Sequence, residues 1–453
     1  MTEIPRLMIA APGSETGKTT VMLALLSALM KRGASPVAFK CGPDYVDPLF
    51  HRETLGIPGY NLDLFFTGRE TMLGLFCEHA QGHGIALVEG VMGYYDGVDR
   101  TVQASSHHLA RITQTPVILV ISAKGAALSL AALIKGFAEF KKPAQIAGVI
   151  LNNCSETFYH RMKETLERES GQPLVGYFPR LPEYSIESRH LGLVPAAEIA
   201  GLRQKLARLG RQAELSIDIE ALLKTARTAP PLIGELPVIE PVTRKRPRLA
   251  VARDAAFCFY YAENLALLER LGAEIVPFSP LHDTSLPNDT RALYLGGGYP
   301  ELYAQPLGEN LFMRGKIRDA VKGGMPILAE CGGFLYLHDT LEDENGIAHP
   351  MVGVLRGKGY KTSSRQQQFG YITLTALKES LLLSAGETIP AHEFHYWGST
   401  LRGDGCIAKK LDGRSWSCIV ANESMFAGFP QLYFYSNPAL AARFVRAAAA
   451  YVG

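Results

Sequence analysis

"APGSETGKTTV", residues 11–21, lies between the short apolar run "RLMIA" (6–10) and "MLALLSALMKRG" (22–33). The Ala- and Leu-rich composition of the second stretch, with its terminal Lys-Arg-Gly, describes a helix and its stop. A glycine-rich bend that leaves a buried strand and opens a helix is the setting a phosphate-binding loop requires. Backbone N–H groups from Gly13 through Thr19 can converge on phosphate oxygens at the positive helix end, Lys18 can reach the terminal phosphates, and the Thr19 hydroxyl can bind Mg2+. Gly13, Ser14, Glu15, Thr16, Gly17, Lys18, Thr19 and Thr20 are therefore the candidate ATP-binding residues. Pro12 stands where the G-x-x-x-x-G-K-[ST] pattern has its first glycine, so the match departs by one residue. The competing reading is a glycine-rich turn that binds nothing.

The runs "PVAFKCG" (36–42), "IALVEGV" (85–91), "PVILVIS" (116–122) and "IAGVILN" (146–152) are apolar enough to be strands buried on both faces, and helical patterns lie between them. That alternation predicts a parallel sheet. Residues 226–247 are proline-rich with a basic cluster, and strand and helix alternation then restarts at "RLAVARD" (248–254). The expected fold class is α/β in two domains: a P-loop parallel-sheet domain over 1–226, a linker over 227–246, and a second α/β domain over 247–453. A length of 453 residues, 47% hydrophobic and 20% charged, suits a soluble protein of two or three domains. Lys plus Arg number 46 against 44 Asp plus Glu, which leaves no global field for nucleic acid or a membrane surface. An anionic ligand needs a local site. No apolar run approaches the roughly 18 residues of a spanning helix, and the amino terminus lacks the pattern of an export signal. The seven cysteines are scattered, odd in number and without a C-x-x-C pair, so free thiols in a reducing cytoplasm are expected. Exposed sheet edges make a homodimer an open possibility.

Two acidic segments are expected at the carboxyl edge of the sheet, where open α/β sheets bind ligands. "IALVE" ends in Glu89, and "FKCGPDYVD" carries Lys40, Asp44 and Asp47. Magnesium needs few protein carboxylates when phosphate and water fill its other positions. Thr19, Asp44 and Glu89 are the candidate metal ligands. Asp47, Asp63 in "NLDLFF" and Asp96 in "GYYDG" carry less weight on spacing, since a loop aspartate often serves as a turn former or helix cap.

"APGSETGKTTV", "FKCGPDYVD", "NLD", "VEGVMGYYDG", "AGVILNN" and "RHLGLV" together resemble the amino-terminal domain of the cobyrinic acid a,c-diamide synthase family, ATP-dependent amidases of cobalamin biosynthesis related to dethiobiotin synthetase. The likeness continues in "LYLGGGYPE", "AECGG" and "HEFHYWGST", which resemble the family's class I glutamine amidotransferase domain. The resemblance implies an ATP-dependent carbon–nitrogen ligase acting on the a and c acetates of a corrin-type tetrapyrrole through an acyl phosphate, with nitrogen from glutamine or ammonia. It implies that Lys40, Asp44, Tyr45, Asp47, Asp63, Tyr95 and Asp96 surround the substrate and metal. Lys18, Asp44, Asp47 and Asp96 then act in catalysis, and Asn152 sits where relatives read the adenine. Sirohydrochlorin or its nickel form is the alternative substrate, and a non-catalytic nucleotide-switch protein the alternative of another class. Partition and division ATPases carry a further lysine early in the loop; the matching position here is Gly13.

In the second half, Cys331 stands between the strand pattern "MPILAE" (325–330) and Gly332-Gly333, a strand-turn-helix bend expected to expose the thiol at a helix start. Such a position is expected to lower the thiol pKa and to aim N–H groups at an oxyanion, with Gly332 and Gly297 as donors. A glutaminase cysteine also needs a proton carrier. By resemblance its histidine belongs to a segment of the form S-Y-x-H-x-H-F-x-S-N-P. The corresponding "GFPQLYFYSNP" (428–438) places Gln431 at that histidine and Tyr433 at the second one. An amide cannot accept a thiol proton at physiological pH. His392 and His395 in "HEFHYWG" are the nearest substitutes by residue type.

Overall fold

The computed structural model describes residues 3–181, 188–189, 192–193, 201–362 and 368–452. "RHLGLV" (189–194) lies partly outside them. The chain divides into two compact units, Met1–Pro237 and Val238–Gly453. The boundary falls within the stretch expected to be the linker.

The first unit is built on seven strands, β1 (Arg6–Ala10), β2 (Pro36–Cys41), β3 (Gly59–Leu62), β4 (Ile85–Glu89), β5 (Val117–Ser122), β6 (Ile146–Asn152) and β7 (Leu174–Phe178). They lie in the order β3-β2-β4-β1-β5-β6-β7, and every neighbouring pair is parallel. Because β1 crosses over β4 to reach β2, a crevice opens at the carboxyl end of β1, the expected binding position of such a sheet. Burial on both faces explains the unbroken apolar runs: β1, β2 and β4 are buried throughout. The strand at 59–62 gave no such run, since an edge strand of four residues carries Tyr60 and Asn61.

The helices that follow the strands are α1 (Lys18–Lys31), α2 (Val46–Leu55), α3 (Leu64–Ala80), α4 (Ser106–Thr113), α5 (Ser129–Phe140) and α6 (Glu156–Ser170), with α7 (Leu202–Ser216) and α8 (Ile219–Arg227) closing the unit. Side chains close several of their amino ends: Asp63 accepts from Phe65 and Phe66, Ser105 from His108, Ser155 from Phe158 and Asp218 from Ala221. Each satisfies donors that a helix start otherwise leaves open. The start of α1 differs. Its cap is Gly17 at φ 93°, with no side chain to accept from the first turn.

Arg6 is fully buried in β1. Its guanidinium donates to the carbonyls of Ile4, Thr113 and Pro230 and to the Thr115 hydroxyl, which ties the central strand to the end of α4 and to the segment after α8.

The second unit has a six-stranded sheet in the order 274–278, 248–252, 290–295, 327–330, 425–428, 420–421, parallel except for the last strand. Beside it runs a five-stranded antiparallel sheet, 415–418, 406–409, 370–376, 388–393, 431–432. No helix among the described residues is long and apolar enough to cross a membrane.

Replacing Arg6 with Met strands three carbonyls that it now satisfies. Urea unfolding followed by circular dichroism is expected to show a loss of about 2–4 kcal/mol, at about 1–3 kcal/mol per buried unsatisfied group with partial relaxation.

Candidate active sites

The loop after β1 is held by its own polar groups. Lys18 is buried, and its Nζ donates to the carbonyls of Gly13 at 2.8 Å and Met92 at 2.7 Å. The Thr16 hydroxyl donates to Gly13 O at 2.9 Å. Asn152, at the end of β6, donates through Nδ2 to Thr16 O at 2.8 Å. A side chain at Gly17 would place its Cβ 2.1 Å from that nitrogen, so the glycine is required both by close approach and by its positive φ. Asn152 therefore braces the loop. Ser14 and Glu15 are exposed at its tip, and Glu15 also has a positive φ, 58°.

Beneath the loop lies a buried charge cluster drawn from the ends of β2 and β4 and the start of α2. Lys40 Nζ contacts Asp47, lies 3.1 Å from Glu89 Oε1 and 3.9 Å from Asp44 Oδ2. Thr19 Oγ1 donates to the same Glu89 oxygen at 2.6 Å, joining helix α1 to the cluster. Burial alone would drive the Lys40 ammonium toward its neutral form, but Asp47, Glu89 and Asp44 hold its pKa well above the usual value. The carboxyls bear the opposite cost. Burial, then the neighbouring Asp47, push Glu89 up to about 7 and Asp44 up to about 6. Lys18 is lowered to about 8 by burial and by Lys40.

Thr19, Asp44 and Glu89 suit a hard cation: all are oxygen donors, and Glu89 Oε2 is buried without a hydrogen-bond partner. The described residues hold no group of three or more His, Cys, Asp or Glu placed for a metal ion.

The remaining expected residues divide by environment. Asp44 Oδ1 accepts from Val46 and Asp47 N–H, and Asn61 Nδ2 donates to Asp44 O, so the loop after β2 is fixed around the cluster. Tyr45 is buried in that loop. Asp96 Oδ2 accepts from Gly93 N at 3.0 Å and shapes the turn carrying Met92. Asp63 is the cap of α3, and the Tyr95 hydroxyl donates to Phe137 O while its ring stacks on Phe137. Asn61 was missed by sequence reasoning, although its place in the quoted "NLD" was a signal.

In the second unit, Cys331 sits at φ 48°, ψ −101°, in the bend between the strand 327–330 and the helix Gly332–Tyr336. That conformation is costly for a residue with a Cβ and recurs at functional sites. Tight packing enforces it. Cys331 N donates to Gly428 O at 2.8 Å, and a Cβ at Gly333 would meet Leu295 O at 2.1 Å. Gly332 N–H bonds the thiol, and the Cβ position of Gly297 lies 3.6 Å from Cys331 Cβ, so both expected donor glycines border the sulfur.

The expected lowering of the thiol pKa is corrected by the structure. Burial, followed by Glu301, pushes Cys331 up to about 12, and Glu393 and Glu330 act in the same direction. The short helix cannot offset a dry, acidic surrounding.

Gln431 is buried, pairs across the sheet with His392, and its side chain bonds the imidazole. Burial lowers His392 to about 4. Tyr433 is buried edge-on to Tyr261. His395 stacks on Phe429, with ring centroids 3.7 Å apart. The segment 431–434 is clamped by residues sequence reasoning did not single out: Glu330 Oε1 accepts from Leu432 N, and Asn264 bonds both Leu432 O and Phe434 N. Adjacency to Cys331 was the signal for Glu330.

Residues 7–194 match the CobQ/CobB/MinD/ParA nucleotide binding domain, and residues 248–417 match the CobB/CobQ-like glutamine amidotransferase domain. The chain is 39% identical over 436 residues to a cobyrinate a,c-diamide synthase of Caldanaerobacter subterraneus, covering 95% of each chain. The enzyme of that name from Listeria innocua is 39% identical over 96% of this chain and 97% of its own. The one from Thermoplasma volcanium is 38% identical over 98% and 97%.

The raised pKa values of Asp44 and Glu89 leave protons to be displaced by a cation. Calorimetry in buffers of different ionisation enthalpy is expected to show proton release on Mg-ATP binding, with affinity rising from pH 6 to 8 and levelling above, once both carboxyls are charged. At Cys331, alkylation by iodoacetamide at pH 8, followed by peptide mass spectrometry, is expected to run about 100-fold or more below an unperturbed thiol, since only the thiolate reacts.

Proposed function

The chain belongs to the cobyrinate a,c-diamide synthase family, and on that premise we propose that it amidates the a and c acetates of cobyrinate with ATP, drawing nitrogen from free ammonia. The first part of the reading is carried by Thr19, Lys40 and Glu89, three side chains joined beneath an uncapped helix start, with Lys18 held in the loop by the Gly13 and Met92 carbonyls.

A carboxylate does not react with ammonia at neutral pH. Transfer of the terminal phosphoryl group of ATP to a carboxylate oxygen makes an acyl phosphate and ADP. Ammonia then adds to the acyl carbon, a proton is lost, and phosphate departs with an oxygen of the original acid. Such chemistry asks the protein for position and charge more than for a side-chain nucleophile. Lys18 and the first N–H groups of α1 face the phosphates, and Lys40 keeps its positive charge at the carboxyl edge of the sheet. Mg2+, when bound, supplies Lewis-acid charge on the phosphate oxygens, held by Thr19, Asp44 and Glu89. Asp44, Tyr45, Asp47 and Asp96 line the same edge, toward a substrate carrying several carboxylates.

The nitrogen source follows from the second unit. Glutamine hydrolysis needs a thiolate and a group that takes and returns its proton, a contribution of about 100- to 10,000-fold. Gln431 stands where that carrier is expected, His392 is bonded to Gln431, and His395 is stacked on Phe429. The elevated pKa of Cys331 supports the same conclusion. The relatives above carry the cobyrinate name, and sirohydrochlorin finds no support among them.

Mass spectrometry of cobyrinate incubated with the protein, Mg2+, ATP and either ammonium or glutamine tests both parts. One- and two-amide products are expected with ammonium, and label from 18O-carboxylate is expected in phosphate. With glutamine, amidation is expected to be slow in the native chain and to rise by at least about 100-fold in Gln431→His. A native glutamine rate that disappears in Cys331→Ala overturns the ammonia reading; absence of amides with either donor overturns the ligase reading.

A further inference from the structure

The loop between β4 and α4 meets the phosphate loop at its base and carries a cation that the proposed chemistry does not use. Lys18 Nζ donates to Met92 O, and a Cβ at Gly93 would meet Pro12 O at 2.6 Å. Tyr94 N donates to Ala11 O, and Val91 N donates to the Ser106 hydroxyl. Both ends of the loop are therefore fixed at the carboxyl edge of the sheet.

Beyond Asp96 the chain folds back on itself. Gly97 N donates to Thr101 O at 2.9 Å, Val98 N to Gln103 O at 2.8 Å, and the Thr101 hydroxyl to Val98 O at 2.6 Å. A Cβ at Gly97 would lie 2.2 Å from Gln103 O. At the tip, Asp99 (φ 49°) and Arg100 (φ 61°) take consecutive left-handed conformations, as Met92 (φ 46°) and Ala104 (φ 56°) do nearer the loop's ends. Each is unfavourable for a residue with a Cβ, and outliers that the surrounding bonds enforce recur at ligand clamps. The tip is thus a fixed projection.

The cation it carries is uncommitted. Lys40 is held by carboxylates and Lys18 by loop carbonyls, whereas Arg100 is exposed and, among the described residues, has neither hydrogen bond nor ion pair. At the same edge the carboxyls of Asp44, Asp47, Glu89 and Asp96 outnumber the ammonium groups of Lys18 and Lys40. A polycarboxylate approaching that edge needs positive charge outside the cluster. A guanidinium suits the task, because its paired N–H groups match both oxygens of a carboxylate. Arg100 follows Asp96 by four residues, so their Cα atoms are at most about 14 Å apart, and the long side chain shortens the gap to a ring lying over the site.

We propose that Arg100 is a specificity-determining residue that binds a carboxylate of the tetrapyrrole other than the two being amidated. The proposal rests on the reading that this chain amidates cobyrinate.

Calorimetric titration of the full chain with cobyrinate in the presence of Mg-ADP tests it, alongside steady-state amidation with ammonium. Arg100→Gln is expected to bind cobyrinate about 10-fold or more weakly, with a shallower dependence on potassium chloride concentration, and Arg100→Lys to lie between it and native protein. In turnover, KM for cobyrinate is expected to rise in Arg100→Gln while kcat and KM for Mg-ATP stay within about twofold. Unchanged cobyrinate affinity in an Arg100→Gln variant of native melting temperature overturns the proposal. So does a loss confined to kcat or to KM for Mg-ATP, which assigns the guanidinium to the phosphates. Native protein that does not bind cobyrinate overturns it without any variant. The two readings fail separately: Arg100-dependent binding with no amide formed defeats the ligase reading alone, whereas equal amidation kinetics in native protein and Arg100→Gln defeat only the role of Arg100.

Discussion

An ammonium buried as Lys40 is, with only 6% of its surface exposed, keeps its charge only if carboxylates accompany it. That requirement organises the first unit's site. Asp47 comes from the first turn of α2, Asp44 from the loop before it, and Glu89 from the end of the neighbouring strand β4. Lys40 and Glu89 are register partners in the β2–β4 ladder, so the pair is set by strand pairing and not by loop conformation. Thr19 then connects the cluster to the first turn of α1. The phosphate loop, the metal ligands and the residues toward the substrate are thus parts of one electrostatic unit. None is positioned independently of the others.

The second unit solves a different problem with opposite means. Its bend is held by packing and main-chain hydrogen bonds: glycines at 332 and 333 admit neighbours that a side chain would displace, and Gly428 receives the Cys331 N–H. Charge plays little part in the scaffold, and the charged groups acting on the sulfur are all carboxylates, led by Glu301. A thiol in this setting stays protonated. Lys40 shows how the first unit supplies a buried cation for its carboxylates.

Much of this was legible in the sequence. The bend at residues 11–21, the strands that end at Cys41 and Glu89, and Cys331 before two glycines were readable because each is local: an apolar run, then residues that only a turn tolerates. Asp63 and Tyr95 illustrate the opposite case. An aspartate before a helix is both a family motif residue and a cap, and its acceptance of the Phe65 and Phe66 N–H groups shows the cap role, which spacing alone does not. The Tyr95 hydroxyl donates to Phe137 O, a partner more than forty residues away that no local pattern joins to it. The thiol pKa was misread for the same reason, since desolvation by distant segments outweighs a local helix start. Glu301 lies in a turn and Glu393 at the end of the strand Thr388–Glu393, and no spacing rule joins them to residue 331.

The clamp around Gln431 holds the main chain without using the side chain at that position. Asn264 and Glu330 bind the main chain at Leu432 and Phe434, and the backbone of Gln431 pairs with His392. None of these bonds depends on the side chain at 431. An amide there also offers what an imidazole offers structurally, a donor and an acceptor, and His392 takes one of them. Only the capacity to titrate is removed. The fold therefore exerts no force against the exchange, and the bend at Cys331, with its strained backbone and bordering glycines, persists whether or not a proton carrier stands opposite it. Retention of that bend is a consequence of packing and main-chain hydrogen bonds, not of the side chain at 431.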